Sequence, residues 1–213
     1  MSTPIARPRQ RALRQDAIRN EQALINAVGE LLKQDPAMAN MAAVAERAGL
    51  SLATAYRYFP TLDHLHRRFM LSVIERLSES IEGLTSTGTQ RFEDILRRWL
   101  VVVAEYGPAM VLVRSRDGFL TRLAAGEAHT TALDKIWGSA IRQMLHDNGV
   151  AEDQYPFALT LHNSLVNSRE VLDLRTATGM TDDELVAHYS SIYRAALNGL
   201  KRAIDSTQSD RPE

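Results

Sequence analysis

The sequence predicts an all-α protein, on three observations. Apolar residues recur at three- and four-residue spacing in every stretch long enough to show a period, as in Ala23, Leu24, Ala27, Val28, Leu31 and Leu32. No stretch alternates apolar and polar residues as a half-buried strand would. Glycine, proline and small hydroxyl or amide residues fall between the periodic stretches, where helices start and stop. The 213 residues are 45% apolar and 24% charged, the balance of an ordinary globular chain, so one sizeable core or two modest ones can be buried.

Residues 1–15 hold Pro4, Pro8, Arg7, Arg9, Arg11 and Arg14 and almost nothing apolar, so they read as a flexible basic arm. Such an arm can lie along phosphates or in a minor groove; a solvated tail is the alternative. Asp16 to Gln34 is a packing helix ended by Asp35-Pro36. Asn40 then caps a helix from Met41 to Ala48, whose Met41, Val44, Ala45 and Ala48 form a buried stripe, and Gly49 terminates it. Ser51 caps a third helix, Leu52 to Tyr58, which at two turns cannot be stable alone and must lean on the first two. Two short helices around a tight turn make a helix-turn-helix. Ala53 and Ala55 keep the third helix's surface low, while Thr54, Tyr56, Arg57 and Tyr58 supply hydroxyls and a cation that suit phosphate oxygens and base edges.

Phe59-Pro60 closes that unit, and Thr61 caps a long helix with Asp63 in its first turn. Its stripe of Leu65, Phe69, Val73, Leu77, Ile81 and Leu84 predicts a rod of about 20 residues, or about 30 Å, joining head to body. Thr85 to Thr89 is the clearest loop in the chain. The expected division is an arm at 1–15, a helix-turn-helix DNA-binding domain at 16–66 and a helical body at 67–213.

In the body, Phe92, Ile95, Leu96, Trp99, Leu100 and Val103 mark a helix predicted to break at Gly107-Pro108. Short apolar pieces follow at Ala109 to Val113 and Phe119 to Ala124. Leu133, Ile136, Trp137, Ala140, Ile141, Met144 and Leu145 define a long helix ended by Asn148-Gly149. One helix is predicted from about Asp153 through Leu161, Leu165, Val166 and Leu172 to near Arg175. The last starts at a capping box, Thr181 with Glu184, and runs through Leu185, Tyr189, Tyr193, Leu197 and Ile204. These two terminal helices carry apolar residues on more than one side, which requires a partner beyond their own core.

The net charge of −1 conceals an asymmetry. Residues 1–70 hold 10 Lys+Arg against 6 Asp+Glu, net +4, and residues 71–213 hold 15 against 20, net −5. A basic head on an acidic body points to a polyanion as the head's partner. The absence of cysteine excludes disulfides, thiolate metal sites and cysteine nucleophiles. No apolar run approaches the roughly 18 residues of a membrane span and no secretory signal opens the chain, so a cytoplasmic protein without a membrane partner is expected. His64, His66, His129, His146, His162 and His188 lack metal-ligand spacing, and no phosphate-cradling glycine loop, nucleophile elbow or paired-carboxylate motif occurs. No metal, cofactor or catalytic residue is therefore expected.

The runs Ala48-Gly49-Leu50-Ser51 and Ala53-Thr54-Ala55-Tyr56-Arg57-Tyr58-Phe59 resemble the helix-turn-helix of TetR-family transcriptional regulators, over about Asn20 to Phe69. The body agrees in length and helicity alone. Two positions depart from the family pattern: Ala53 stands where glycine is common, and Leu62 stands where lysine is frequent, removing a phosphate contact that backbone amides at that helix start can partly replace. The resemblance implies an all-α chain with an N-terminal three-helix DNA-binding domain joined by a long helix to a C-terminal effector-binding and dimerisation domain. It implies a homodimeric repressor on a palindromic double-stranded DNA operator, released by a small-molecule effector; a body that binds a protein instead is the alternative.

On that reading the DNA-binding residues are Asn40, Ser51, Leu52, Ala53, Thr54, Tyr56, Arg57, Tyr58 and Thr61, with Phe59 in the core. The effector would meet Trp99, Tyr106, Met110, Phe119, Trp137 and Met144, with His162, Asn163 and Asn167 as polar groups. Plain core packing is the competing reading for each of these nine.

Overall fold

A 27-residue first helix, α1 (Pro8–Gln34), begins eight residues before the predicted start. The computed structural model describes residues 8–112 and 117–209, and among these every regular element is helical. Residues 8–15, expected to be part of a flexible arm, are thus helix. Proline costs nothing in a first turn, and the Arg, Gln, Ala and Leu that follow are strong helix formers, so propensity favours a helix there. The rest of the expected arm lies outside the described residues.

The chain divides into two compact units, Met1–Met70 and Leu71–Glu213. The first holds α1, a 3₁₀ turn at Pro36–Met38, α2 (Met41–Arg47), α3 (Leu52–Tyr58) and the opening turns of α4 (Leu62–Ser80). Its core is Leu24, Val28, Val44, Ala55, Leu65 and Phe69, all essentially sealed from solvent. Asn40 starts α2 as predicted, its side-chain oxygen accepting from the amides of Ala42 and Ala43 at 3.1 and 3.0 Å. Gly49 ends it with φ +67°, a left-handed conformation that a side chain would strain.

The second unit contains the remainder of α4, then α5 (Gly88–Leu112), α6 (Phe119–Ala124), α7 (Ala128–Asp147), a 3₁₀ turn at Glu152–Gln154, α8 (Tyr155–Leu165), α9 (Ser168–Thr178) and α10 (Asp182–Ser209). Helix α5 is its spine, with α7, α9 and α10 packed around it. Polar seams tie the spine to its neighbours: Trp99 Nε1 donates to the Val166 carbonyl at 2.8 Å, and Ser190 Oγ to Glu93 at 2.7 Å. Thr181 and Glu184 form the predicted capping box, each side chain bonding the other's backbone amide at 2.8 and 3.3 Å.

Two predicted boundaries are corrected. Helix α5 does not break at Gly107-Pro108 but continues through both. Pro108 lacks an amide for the Ala104 carbonyl four residues back, yet both residues are exposed, so water can serve that carbonyl. Gly107 is buried because α9 crosses there: a Cβ on it would stand 2.7 Å from Leu172 Cδ1 and 3.2 Å from its Cγ. Conversely, the single helix expected from Asp153 to Arg175 is two. Asn167 leaves the helical conformation (φ −73°, ψ 145°) and its side chain accepts from the amides of Arg169 and Glu170, starting α9 anew.

Adjacent substitutions should therefore move stability in opposite directions. Gly107→Ala should cost about 1 kcal/mol net, crowding against Leu172 outweighing the better helix propensity, whereas Pro108→Ala should stabilise by about 1 kcal/mol or more by restoring a backbone hydrogen bond. Urea unfolding midpoints of the two variants against the parent check both signs.

Candidate functional site

Helix α3 is seven residues long and has one buried residue, Ala55, which is fully sealed. That methyl against its neighbours, rather than helix propensity, holds the element in place. Ser51 accepts from the Thr54 amide at 3.1 Å, and the two hydroxyls pair at 2.9 Å, so the cap and the first turn brace each other. Phe59, 7% exposed, anchors the far end, and Thr61 Oγ1 accepts from the His64 amide at 3.2 Å to open α4.

With Ala55 and Phe59 facing inward, the other side of α3 faces out. Tyr56 is 49% exposed and Leu52 44%, large apolar surfaces for so short a helix, while Ser51, Ala53 and Arg57 are also exposed. Thr54 and Tyr58 are half-buried, and the Arg57 guanidinium lies 5.6 Å from the centre of the Tyr58 ring. The structure thus brings Ser51, Leu52, Ala53, Tyr56 and Arg57 onto one accessible surface, with Thr61 exposed at the following cap. Asn40 is exposed as well, but its side-chain oxygen is occupied in capping α2. Leu62 is half-buried at the start of α4, beside an Asp63–Arg67 ion pair.

In the body, Trp137 and His162, two of the nine residues expected around an effector, are in ring contact. The Trp137 and His162 rings are 4.2 Å apart, inside an aromatic cluster completed by Phe92 and Tyr193, which stack at 4.9 Å and 4°. Trp99 is engaged with the Val166 carbonyl, Tyr106 accepts a hydrogen bond from Arg76, and Asn167 caps α9. Met110 and Met144 are buried, and Phe119 and Asn163 half-buried. An open cleft of about 300 Å³ at the end of α4, bordered by Ile81, Leu84, Arg91 and Lys135, contains none of the nine. Among the described residues no group of three or more His, Asp or Glu is placed to hold a metal, and no helix is long and apolar enough to cross a membrane.

Solved structures decide what this arrangement is similar to. A TetR-family transcriptional regulator from Streptomyces coelicolor superposes with a TM-score of 0.59 at 21% identity, covering 91% of this chain and 90% of that one. A TetR transcriptional regulator from Rhodococcus sp. RHA1 gives 0.58 at 19% identity, covering 86% and 97%. The chain has the TetR-regulator fold. At these identities the likeness is one of fold, and no protein-family model and no curated protein matches the sequence.

Within this TetR-regulator fold, sequence reading passed over the partners of Trp137 and His162. Phe92 and Tyr193 sit at helical spacing on separate helices, 101 residues apart in the chain, and look like any core aromatics; only the packing of α5, α7, α8 and α10 joins them. His162 Nε2 is buried there with no hydrogen-bond partner among the described residues. Burial pushes the imidazole pKa down from the usual 6.5 to about 3, because charging it would leave an ion without water. The folded chain refuses a proton that the unfolded chain accepts, so this group's contribution is complete above pH 6.5 and is lost as pH falls from 6.5 toward 3. The loss should approach about 1.4 kcal/mol per pH unit at its steepest, and His162→Phe should flatten it. Unfolding free energies at about pH 7 and about pH 5 for parent and variant measure the difference.

Proposed function

We propose that this chain is a DNA-binding transcriptional regulator acting as a homodimer, a repressor that holds a palindromic operator and is released by a small molecule bound in its body. The observation that carries the reading is α3, a short helix whose packed side is Ala55 and whose free side offers Tyr56, Arg57 and low residues to a groove. The net positive head and net negative body support the same division of labour. Ser51, Thr54, Tyr56, Tyr58 and Thr61 contribute hydroxyls for the backbone, and Arg57 a cation for phosphate or guanine.

Dimerisation is supported by the outer surface of α8 and α10. Phe157 is 52% exposed and Ile192 39%, with half-buried Leu161, Leu165, Ala196 and Leu200 on the same two adjoining helices. Two copies of this pair would close a four-helix bundle, and a palindromic operator would require the two heads in successive major grooves, roughly 34 Å apart. A small molecule releases the operator only if it binds the two head spacings with unequal affinity. The unpartnered His162 Nε2 beside Trp137 supports the body as its place of binding.

On a site enriched from random DNA, Arg57→Ala should lower affinity about tenfold or more and Tyr56→Phe about threefold, both without loss of helicity. Affinity should also drop at least roughly a hundredfold between about 50 and 200 mM salt. Gel-shift titrations in which both variants bind like the parent would remove α3 from the interface. Phe157→Glu combined with Ile192→Glu should convert a dimer to a monomer in sedimentation equilibrium and weaken operator binding with it.

A further inference from the structure

We propose that the operator is read chiefly through thymine methyl groups, with Leu52 as the residue that sets this preference; the inference rests on the DNA-binding reading above. It comes from what the outward side of α3 lacks. The helix Leu-Ala-Thr-Ala-Tyr-Arg-Tyr contains no Asn, Gln, Lys, Asp or Glu, so the paired amide that reads adenine and the carboxylate that reads cytosine are both missing. Of its hydroxyls, Ser51 Oγ already accepts the Thr54 amide and shares one proton with Thr54 Oγ1, so half of that pair's donor capacity is spent inside the turn. Arg57 alone remains for bidentate contact with a base.

What the helix does present is apolar. Leu52 keeps 44% of its surface in water, Ala53 is exposed beside it, and Tyr56 lies four residues on along the same face with 49% exposed. An exposed leucine on a surface otherwise suited to phosphates gains only when it meets apolar area, and the 5-methyl of thymine is the apolar group on the base edges of the major groove. The low Ala53 surface lets Leu52 approach that edge without a competing side chain. Specificity should then fall on T·A pairs in each half-site, through contacts that carry no hydrogen bond.

The test uses the full chain and a site enriched from random DNA. Each thymine of the site is replaced in turn by deoxyuridine, which removes the methyl and nothing else, and binding is followed by fluorescence anisotropy at fixed salt. At one or two positions per half-site the replacement should weaken binding roughly three- to fivefold, the worth of one buried methyl. The Leu52→Ala variant should bind thymine and deoxyuridine equally at those positions while keeping the parent's salt dependence. Since Leu52 is exposed, its thermal unfolding should match the parent's. Indifference of the parent to every deoxyuridine, discrimination that persists in Leu52→Ala, or an enriched site without thymine in the half-sites would overturn the proposal. A random pool in which no sequence is enriched would overturn DNA recognition itself, a result distinct from an enriched site that ignores the methyl.

Discussion

The buried methyl of Ala55 is the contact on which the first unit turns. A helix of seven residues has too few internal hydrogen bonds to offset the entropy of ordering it, so α3 exists because it is docked and capped. Docking requires a small residue at the contact, and capping requires Ser51 to spend its hydroxyl on the Thr54 amide. Docking turns the Ala55 side inward and leaves Leu52, Tyr56 and Arg57, with the capping Ser51, outward. The outward surface of α3 is thus a by-product of how a short helix is kept folded.

The second unit solves a different problem, how to pack several helices around one spine. Helix α5 must be approached closely by α9, which explains why position 107 has no side chain, and the Trp99–Val166 bond satisfies a carbonyl that the interruption between α8 and α9 exposes. Its aromatic cluster contains a buried polar atom, His162 Nε2, with no hydrogen-bond partner among the described residues. Such a group is costly in a core. Phe157 and Ile192 add exposed apolar surface on α8 and α10.

Legibility followed the range of the interaction. Asn40, Ser51, Thr61 and the Thr181–Glu184 pair were readable because a cap involves residues two or three apart and nothing else. Asn167 obeys the same grammar, but the apolar run from Leu161 to Leu172 reads as one continuous face and hides it. Pro108 was misleading for the opposite reason: the local rule is sound, and solvent at Ala104 annuls it. At the candidate site, the outward set on α3 could be listed from sequence, whereas the engagement of Ser51 with Thr54, which occupies part of that set's hydrogen-bonding capacity, could not.

By itself the sequence determined the helical class, the capped ends, the helix-turn-helix of the head and the charge contrast between head and body, since each is a matter of period, cap residue or composition. The tertiary structure decided which helices run through their breakers, where α8 gives way to α9, that Phe92, Trp137, His162 and Tyr193 share one cluster, and which side of α3 is free. Those features depend on side chains tens of residues apart competing for the same space and the same water, and no local pattern records the outcome of that competition.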